Sequence, residues 1–141
     1  MLRTTSKNEL LKLPFLLALL FVAACGSDPS QPVVPGVEPE VLNNTDVFQL
    51  QVSAVQNYSG VLNYTWDNTG TMANVDQSCA VQPGQAVLSL LDADGTEVYS
   101  QDLATDGSFA TDAGTIGDWH IRVTLSGMTG TLNFRAEKRT P

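Results

Sequence analysis

The chain has 141 residues, with 15 acidic against 7 basic side chains, and 43% of its residues are apolar. That length suits one globular domain and excludes two full-sized ones. A charged fraction of 16% excludes a coiled coil or an acidic disordered tail, and 11 Gly spread through alternating apolar stretches predict strands and turns.

Arg3, Lys7 and Lys12 precede an apolar run from Leu13 to Ala24, interrupted only by Pro14. The run is shorter than the roughly 20 helical residues that span a bilayer, so residues 1–24 read as a signal peptide. It ends in Val22-Ala23-Ala24-Cys25, an aliphatic residue and two small ones before a cysteine. This resembles the lipobox of bacterial lipoproteins. The resemblance implies that the chain is cut before Cys25, that its thiol is acylated, and that the new amino terminus is acylated too. Several acyl chains would anchor the protein stably where one would not. Gly26 follows the cysteine where an Asp would imply inner-membrane retention, so the resemblance implies an outer-membrane anchor. The alternative is an ordinary cleaved signal in which Cys25 is incidental.

Removal of residues 1–24 leaves four basic and fourteen acidic residues, a net charge of −10. That balance disfavours nucleic acid and anionic lipid surfaces as partners. With Cys25 lipidated, only Cys79 remains, so no internal disulfide forms and the fold rests on its apolar core. No His or basic residue near Cys79 lowers its pKa, so it reads as a small buried apolar residue rather than a nucleophile.

Residues 25–45 hold Pro29, Pro32, Pro35 and Pro39 with little apolar bulk and read as a tether. In polyproline form it would reach roughly 60 Å from the lipid surface.

From Asp46 the apolar period becomes two, and residues 46–139 read as the folded domain. Phe48, Leu50 and Val52 alternate with Gln49, Gln51 and Ser53; after a turn over Asn57–Gly60, Leu62, Tyr64 and Trp66 alternate with polar partners. Asp67–Gly70 turns again, and a weaker strand runs from Thr71 to Val81. Pro83-Gly84 signals a turn, Ala86–Leu91 reads as a strand buried on both faces, and Asp92–Gly95 closes a hairpin onto Thr96–Leu103. Trp119, Ile121, Val123 and Leu125 point one way, with His120, Arg122 and Thr124 the other; a turn over Gly127–Gly130 leads to Leu132, Phe134 and Ala136. Seven or eight short strands at this spacing predict an all-β fold, an antiparallel β-sandwich.

Gly117-Asp118-Trp119-His120-Ile121-Arg122-Val123, followed by Gly130-Thr131-Leu132-Asn133-Phe134, resembles the closing strand pair of the pre-peptidase C-terminal and related jelly-roll accessory domains. Those domains are non-catalytic and usually accompany secreted enzymes.

Candidate chemistry is sparse. His120 is the single histidine and falls on the wet face beside Arg122, away from any further ligand or nucleophile in the pattern. Asp92-Ala93-Asp94-Gly95 resembles the opening of a calcium loop, making Asp92 and Asp94 weak metal candidates. The fifth and twelfth positions would be Thr96 and Leu103, and leucine cannot bind calcium, so the segment reads first as a turn. Asp106, Asp112 and Asp118 form a second acidic group in Gly-rich connections. No pair among the acids stands out for glycoside hydrolysis. Tyr64, Trp66 and Trp119 are core candidates, whereas Tyr58, near a turn, is the best candidate for a ligand contact. The sequence thus predicts a membrane-anchored, non-catalytic module for an unknown protein or carbohydrate ligand, needing no cofactor. A small hydrolase or a calcium-dependent carbohydrate binder is the alternative.

Overall fold

The computed structural model describes residues 34–141. The signal segment, Cys25 and the first part of the tether lie outside them. The described residues form eight strands: β1 (Glu40–Asn44), β2 (Val47–Asn68), β3 (Ala73–Gln77), β4 (Ala80–Val81), β5 (Gln85–Leu91), β6 (Glu97–Asp102), β7 (Gly107–Ala110) and β8 (Gly117–Lys138). All pairings are antiparallel and belong to one sheet. The fold is the all-β, sandwich-like architecture that the alternation predicts.

Two 22-residue strands, β2 and β8, run alongside each other for their whole length. The first half of β2 and the second half of β8 belong to an arm ordered β1-β2-β8-β3-β7. Beyond their midpoints the same two strands continue into a second arm, where β8 pairs with β5 and β5 with β6. The segments read as turns at Asn57–Gly60 and Gly127–Gly130 are therefore bends within continuous strands rather than reversals. They face each other, with register shifts around the pairs Val55↔Gly130, Tyr58↔Met128 and Gly60↔Leu125. Such bulges admit the left-handed residues Ala54, Asn57 and Gly127, whose φ angles are 58°, 44° and 54°. The Pro83-Gly84 turn braces the bend, because Gln82 N–H donates to Thr129 O and Thr129 N–H to Pro83 O, each at 3.0 Å.

Folding the two arms together encloses the core. Phe48, Leu50, Val52, Leu132, Phe134 and Ala136 from one arm meet Leu62, Trp66, Leu88, Leu90, Trp119 and Ile121 from the other, all essentially inaccessible. Each large side chain so buried stabilises the fold by roughly 1.5–3 kcal/mol. Trp66 and Trp119 face each other in register, edge to face with centroids 5.9 Å apart. Both indoles keep a partner: Trp66 Nε1–H donates to Asn44 O at 3.1 Å and Trp119 Nε1–H to Thr115 O at 2.8 Å. Gln77 is the one buried side chain of β3 that is polar, and its amide is engaged: Nε2–H donates to Asp102 O at 2.9 Å and Oε1 accepts from Tyr99 Oη–H at 3.0 Å.

Other details also differ from the sequence reading: the strand expected over Thr71–Val81 is divided into β3 and β4. Glu40–Asn44, assigned to the tether, form β1 on the edge of β2, and Val34 is buried in the core. The stretch after Pro39 has no further proline, so its N–H groups are free to pair. β5 is not buried on both faces, since Val87, Ser89 and Leu91 are only half-buried while Ala86, Leu88 and Leu90 are fully so. β7, a four-residue strand, carries too short a pattern to be read in advance.

Candidate functional site

Of the candidate residues named from the sequence, Cys25 lies outside the described residues, and Asp92 and Asp94 have structural roles. Asp92 is buried at the β5–β6 hairpin. Its Oδ1 accepts the N–H groups of Asp94 at 3.0 Å and Thr96 at 2.9 Å, and Oδ2 accepts the Thr115 N–H at 2.9 Å. The Thr115 and Thr96 amides hold the Asp92 carboxyl below the usual carboxylate range. Asp94 Oδ2 in turn accepts the Thr115 hydroxyl at 2.7 Å. The pair therefore fastens the hairpin to the β7–β8 connection.

The second acidic group does not assemble around it. Asp106 accepts the Cys79 N–H at 2.9 Å, Asp112 N–H donates to Val98 O at 2.8 Å, and Asp118 stands opposite Asp67 on β2. Among the described residues, no three His, Cys, Asp or Glu side chains come close enough to hold a metal ion together.

Cys79 is half-buried, and its Sγ lies against the Asn133 backbone, 3.3 Å from O and 3.2 Å from N. Burial pushes the thiol pKa up, which suits a structural cysteine rather than a nucleophile. His120 is exposed beside Arg122 on the outer side of the second arm. Tyr58 is half-buried against the core, its ring lying over Gly60, and so lines the bend instead of standing free.

The structure assembles a different site, on the outer face of the first arm. One row of side chains crosses four strands in register: Gln49 on β2, Arg135 on β8, Asp76 on β3 and Ser108 on β7. Asn133, two residues before Arg135, begins the next row opposite Gln51. These residues line an open trough of about 450 Å³. A smaller hollow of about 220 Å³ continues past Gln49 and Gln51 to Glu40 and Leu42 on β1.

The residues that line the trough are polar side chains and one glycine. Asp76 accepts the Ser108 hydroxyl, and Arg135 pairs with Glu137 at 3.1 Å on the solvent side. Gln49 and Asn133 are half-buried residues, and neither side-chain amide makes a hydrogen bond to another described residue. No aromatic side chain lines it. Gln49, Gln51, Asn133 and Arg135 were visible in the sequence as the polar half of two alternating strands. What brings them beside Asp76 and Ser108 is the order β2-β8-β3-β7, which alternation does not encode.

No family model matches the chain, and no curated protein does either. Among solved structures, a chain of the Streptococcus pneumoniae accessory secretory protein 1, 2 and 3 structure aligns over 77% of this chain and 94% of its own, at 11% identity and a TM-score of 0.39. A glycoside hydrolase family 43 arabinoxylan arabinofuranohydrolase from Bacillus subtilis aligns over 64% of this chain, at 18% identity and a TM-score of 0.35. An arabinose-bound α-L-arabinofuranosidase aligns over 72%, at 14% identity and a TM-score of 0.34. This chain spans 22% of each of the two enzymes. The functional reading rests on the residues of the trough.

Proposed function

We propose that the protein is exported, anchored to the outer membrane through lipid on Cys25, and carries a non-catalytic β-sandwich that binds a neutral, hydroxyl-rich ligand in the trough of the first arm. The observation that carries the binding role is the pair of side-chain amides of Gln49 and Asn133, on half-buried residues, that lack protein partners and stand open to solvent in the trough. Such amides hydrogen-bond to water when the trough is empty, and a ligand hydroxyl can take the place of that water. Each amide offers a donor and an acceptor side by side, which matches vicinal hydroxyls of a saccharide. Arg135 is offset by Asp76 and Glu137, and a mature charge of −10 repels anions, so an acidic ligand is disfavoured. The lipobox resemblance at Val22–Cys25 supports the anchor.

Two experiments test the reading. Cells given radioactive palmitate should label the wild type and not Cys25→Ser; equal labelling would refute the anchor. Neutral oligosaccharides arrayed on glass should retain the chain from Gly26 onward. Gln49→Ala combined with Asn133→Ala should abolish that retention without lowering the melting temperature. Failure of every neutral glycan to bind, or binding indifferent to the double variant, would refute the trough.

A further inference from the structure

Gln49 lines both hollows of the first arm, the larger one over β8, β3 and β7 and the smaller one over β1. Leu42 on β1 stands opposite Gln49, so the row Leu42–Gln49–Arg135–Asp76–Ser108 crosses all five strands of the arm in register. A second row, Glu40–Gln51–Asn133, runs beside it. Neighbouring strands lie about 4.8 Å apart, so the steps from β7 across to β1 span roughly 19 Å.

Two features of this surface separate a long ligand from a small one. The residues that line the hollows all belong to strands except Ser78, so among the described residues no loop closes either end. The unpartnered amides of Gln49 and Asn133 stand on β2 and β8, in the interior of the span, with no end wall to seat a terminal group against them. A single sugar placed on them would leave the hollow over β1 uncovered on one side and the Asp76–Ser108 pair on the other.

We propose that the trough takes a linear, extended neutral glycan, laid across the strands with about one sugar unit per strand and held along its length rather than by its end. This inference rests on the trough reading and adds to it the shape and length of the ligand. An equatorially linked pyranose advances an extended chain by nearly one strand spacing, so successive units meet successive strands. The inner units take their hydroxyl contacts from Gln49 and Asn133. The unit over β3 and β7 donates a hydroxyl to the carboxylate of Asp76, and the unit over β1 lays its C–H face on Leu42, which is 44% exposed. A chain that coils, as α-1,4-linked glucans do, leaves the row after a short contact.

Every core residue falls between Val34 and Ala136, so the chain from Gly26 to Pro141 retains the whole core. Calorimetry of that chain against cello-, xylo-, manno- and chito-oligosaccharides, from the monosaccharide to about eight units, reads the span of the site. In the series that binds, affinity should climb at least about tenfold from disaccharide to pentasaccharide and then level off. Reduction of the terminal aldehyde of the hexasaccharide should leave its affinity unchanged, and malto-oligosaccharides should show no gain with length. Leu42→Asp should weaken the pentasaccharide about fivefold or more at an unchanged melting temperature, and weaken the trisaccharide, which the central strands hold, much less. If no series binds at any length, the trough reading fails and this one with it. A disaccharide that binds as tightly as the pentasaccharide, a hexasaccharide that loses its affinity on reduction, a malto series that gains equally with length, or a Leu42→Asp variant that binds every length like the wild type would leave the trough standing and overturn the extended chain.

Discussion

Phe48 and Tyr64 belong to one strand, yet their ring centroids are 5.2 Å apart. In a straight strand at about 3.3 Å per residue they would stand roughly 50 Å apart. The strand folds over so that its two halves face each other across the core, and β8 bends beside it at the same level. The sandwich is thus closed by bending two long strands together. The first arm's outer face is left as a broad five-strand surface.

The bend is where backbone chemistry decides stability. Ala54 is exposed and held at a φ of 58°, a conformation that costs an alanine about 1 kcal/mol relative to glycine. Ala54→Gly should raise stability by about 0.5–1 kcal/mol, the gain reduced by the larger entropy of unfolded glycine. Gly130 is the opposite case. It has a φ of 132°, and a Cβ there would sit 1.8 Å from Ala80 O. Gly130→Ala should cost on the order of 3 kcal/mol. Urea unfolding of both variants checks the pair, and a neutral Gly130→Ala would show that β4 does not press on the bend.

Strand register is tested by adjacent residues. Trp119 is buried and His120 exposed. Trp119→Ala should cost about 3–5 kcal/mol through the lost contact with Trp66 and the cavity left behind. His120→Ala should cost under about 0.5 kcal/mol. Comparable losses in urea unfolding would mean that the two faces are exchanged, as a one-residue slip requires.

That register was legible because Trp119, Ile121, Val123 and Leu125 alternate strictly with polar residues, and burial of one face forces the choice. The bends were not legible as bends. Asn57 and Gly127 carry the same signal in a reversal as in a bulge, because both conformations need a positive φ, and only pairing with the distant partner strand distinguishes them. β1 was hidden because Glu-Val-Leu-Asn-Asn follows four prolines and shows no alternation. Gln49 and Asn133 were readable as polar-face residues but not as neighbours of Asp76, since β3 joins β8 through a long-range pairing.

Asp46 ties the β1–β2 turn to the β2–β3 connection and to the end of β8, and its contribution depends on pH. Its carboxylate accepts Lys138 Nζ–H at 2.6 Å and the Thr69 N–H at 2.8 Å, and its own O accepts the Lys138 N–H at 2.9 Å. The Lys138 hydrogen bond, then the Thr69 amide, hold its pKa below the usual carboxylate range. A carboxyl with a depressed folded-state pKa contributes fully above its unfolded value, about pH 4, and loses that contribution as pH falls through the folded value. The melting temperature should therefore fall below about pH 4. Asp46→Asn should be less stable than wild type at pH 7, and the gap should narrow towards pH 2. A gap constant across that range would mean that the charge of Asp46 does not matter.

Asp92 separates a turn from a cation site. Its two oxygens already accept backbone N–H groups from Asp94, Thr96 and Thr115, so a calcium ion would have to compete with bonds that define the hairpin. Asp94, the nearest further carboxylate, is engaged by the Thr115 hydroxyl. Calcium coordination takes six to eight oxygens, and Leu103, which the loop spacing would make a bidentate ligand, is buried in the core. Millimolar calcium should therefore leave the melting temperature where EDTA leaves it, whereas a ligand bound only by the folded state would raise it by several degrees. Asp92→Ala should lower the melting temperature equally with and without calcium, since it strands three amides that the carboxylate now satisfies. A calcium-dependent rise that disappears in Asp94→Ala and is not reproduced by magnesium would instead make the β5–β6 hairpin a cation site. The carbohydrate reading would then move from the trough to that hairpin.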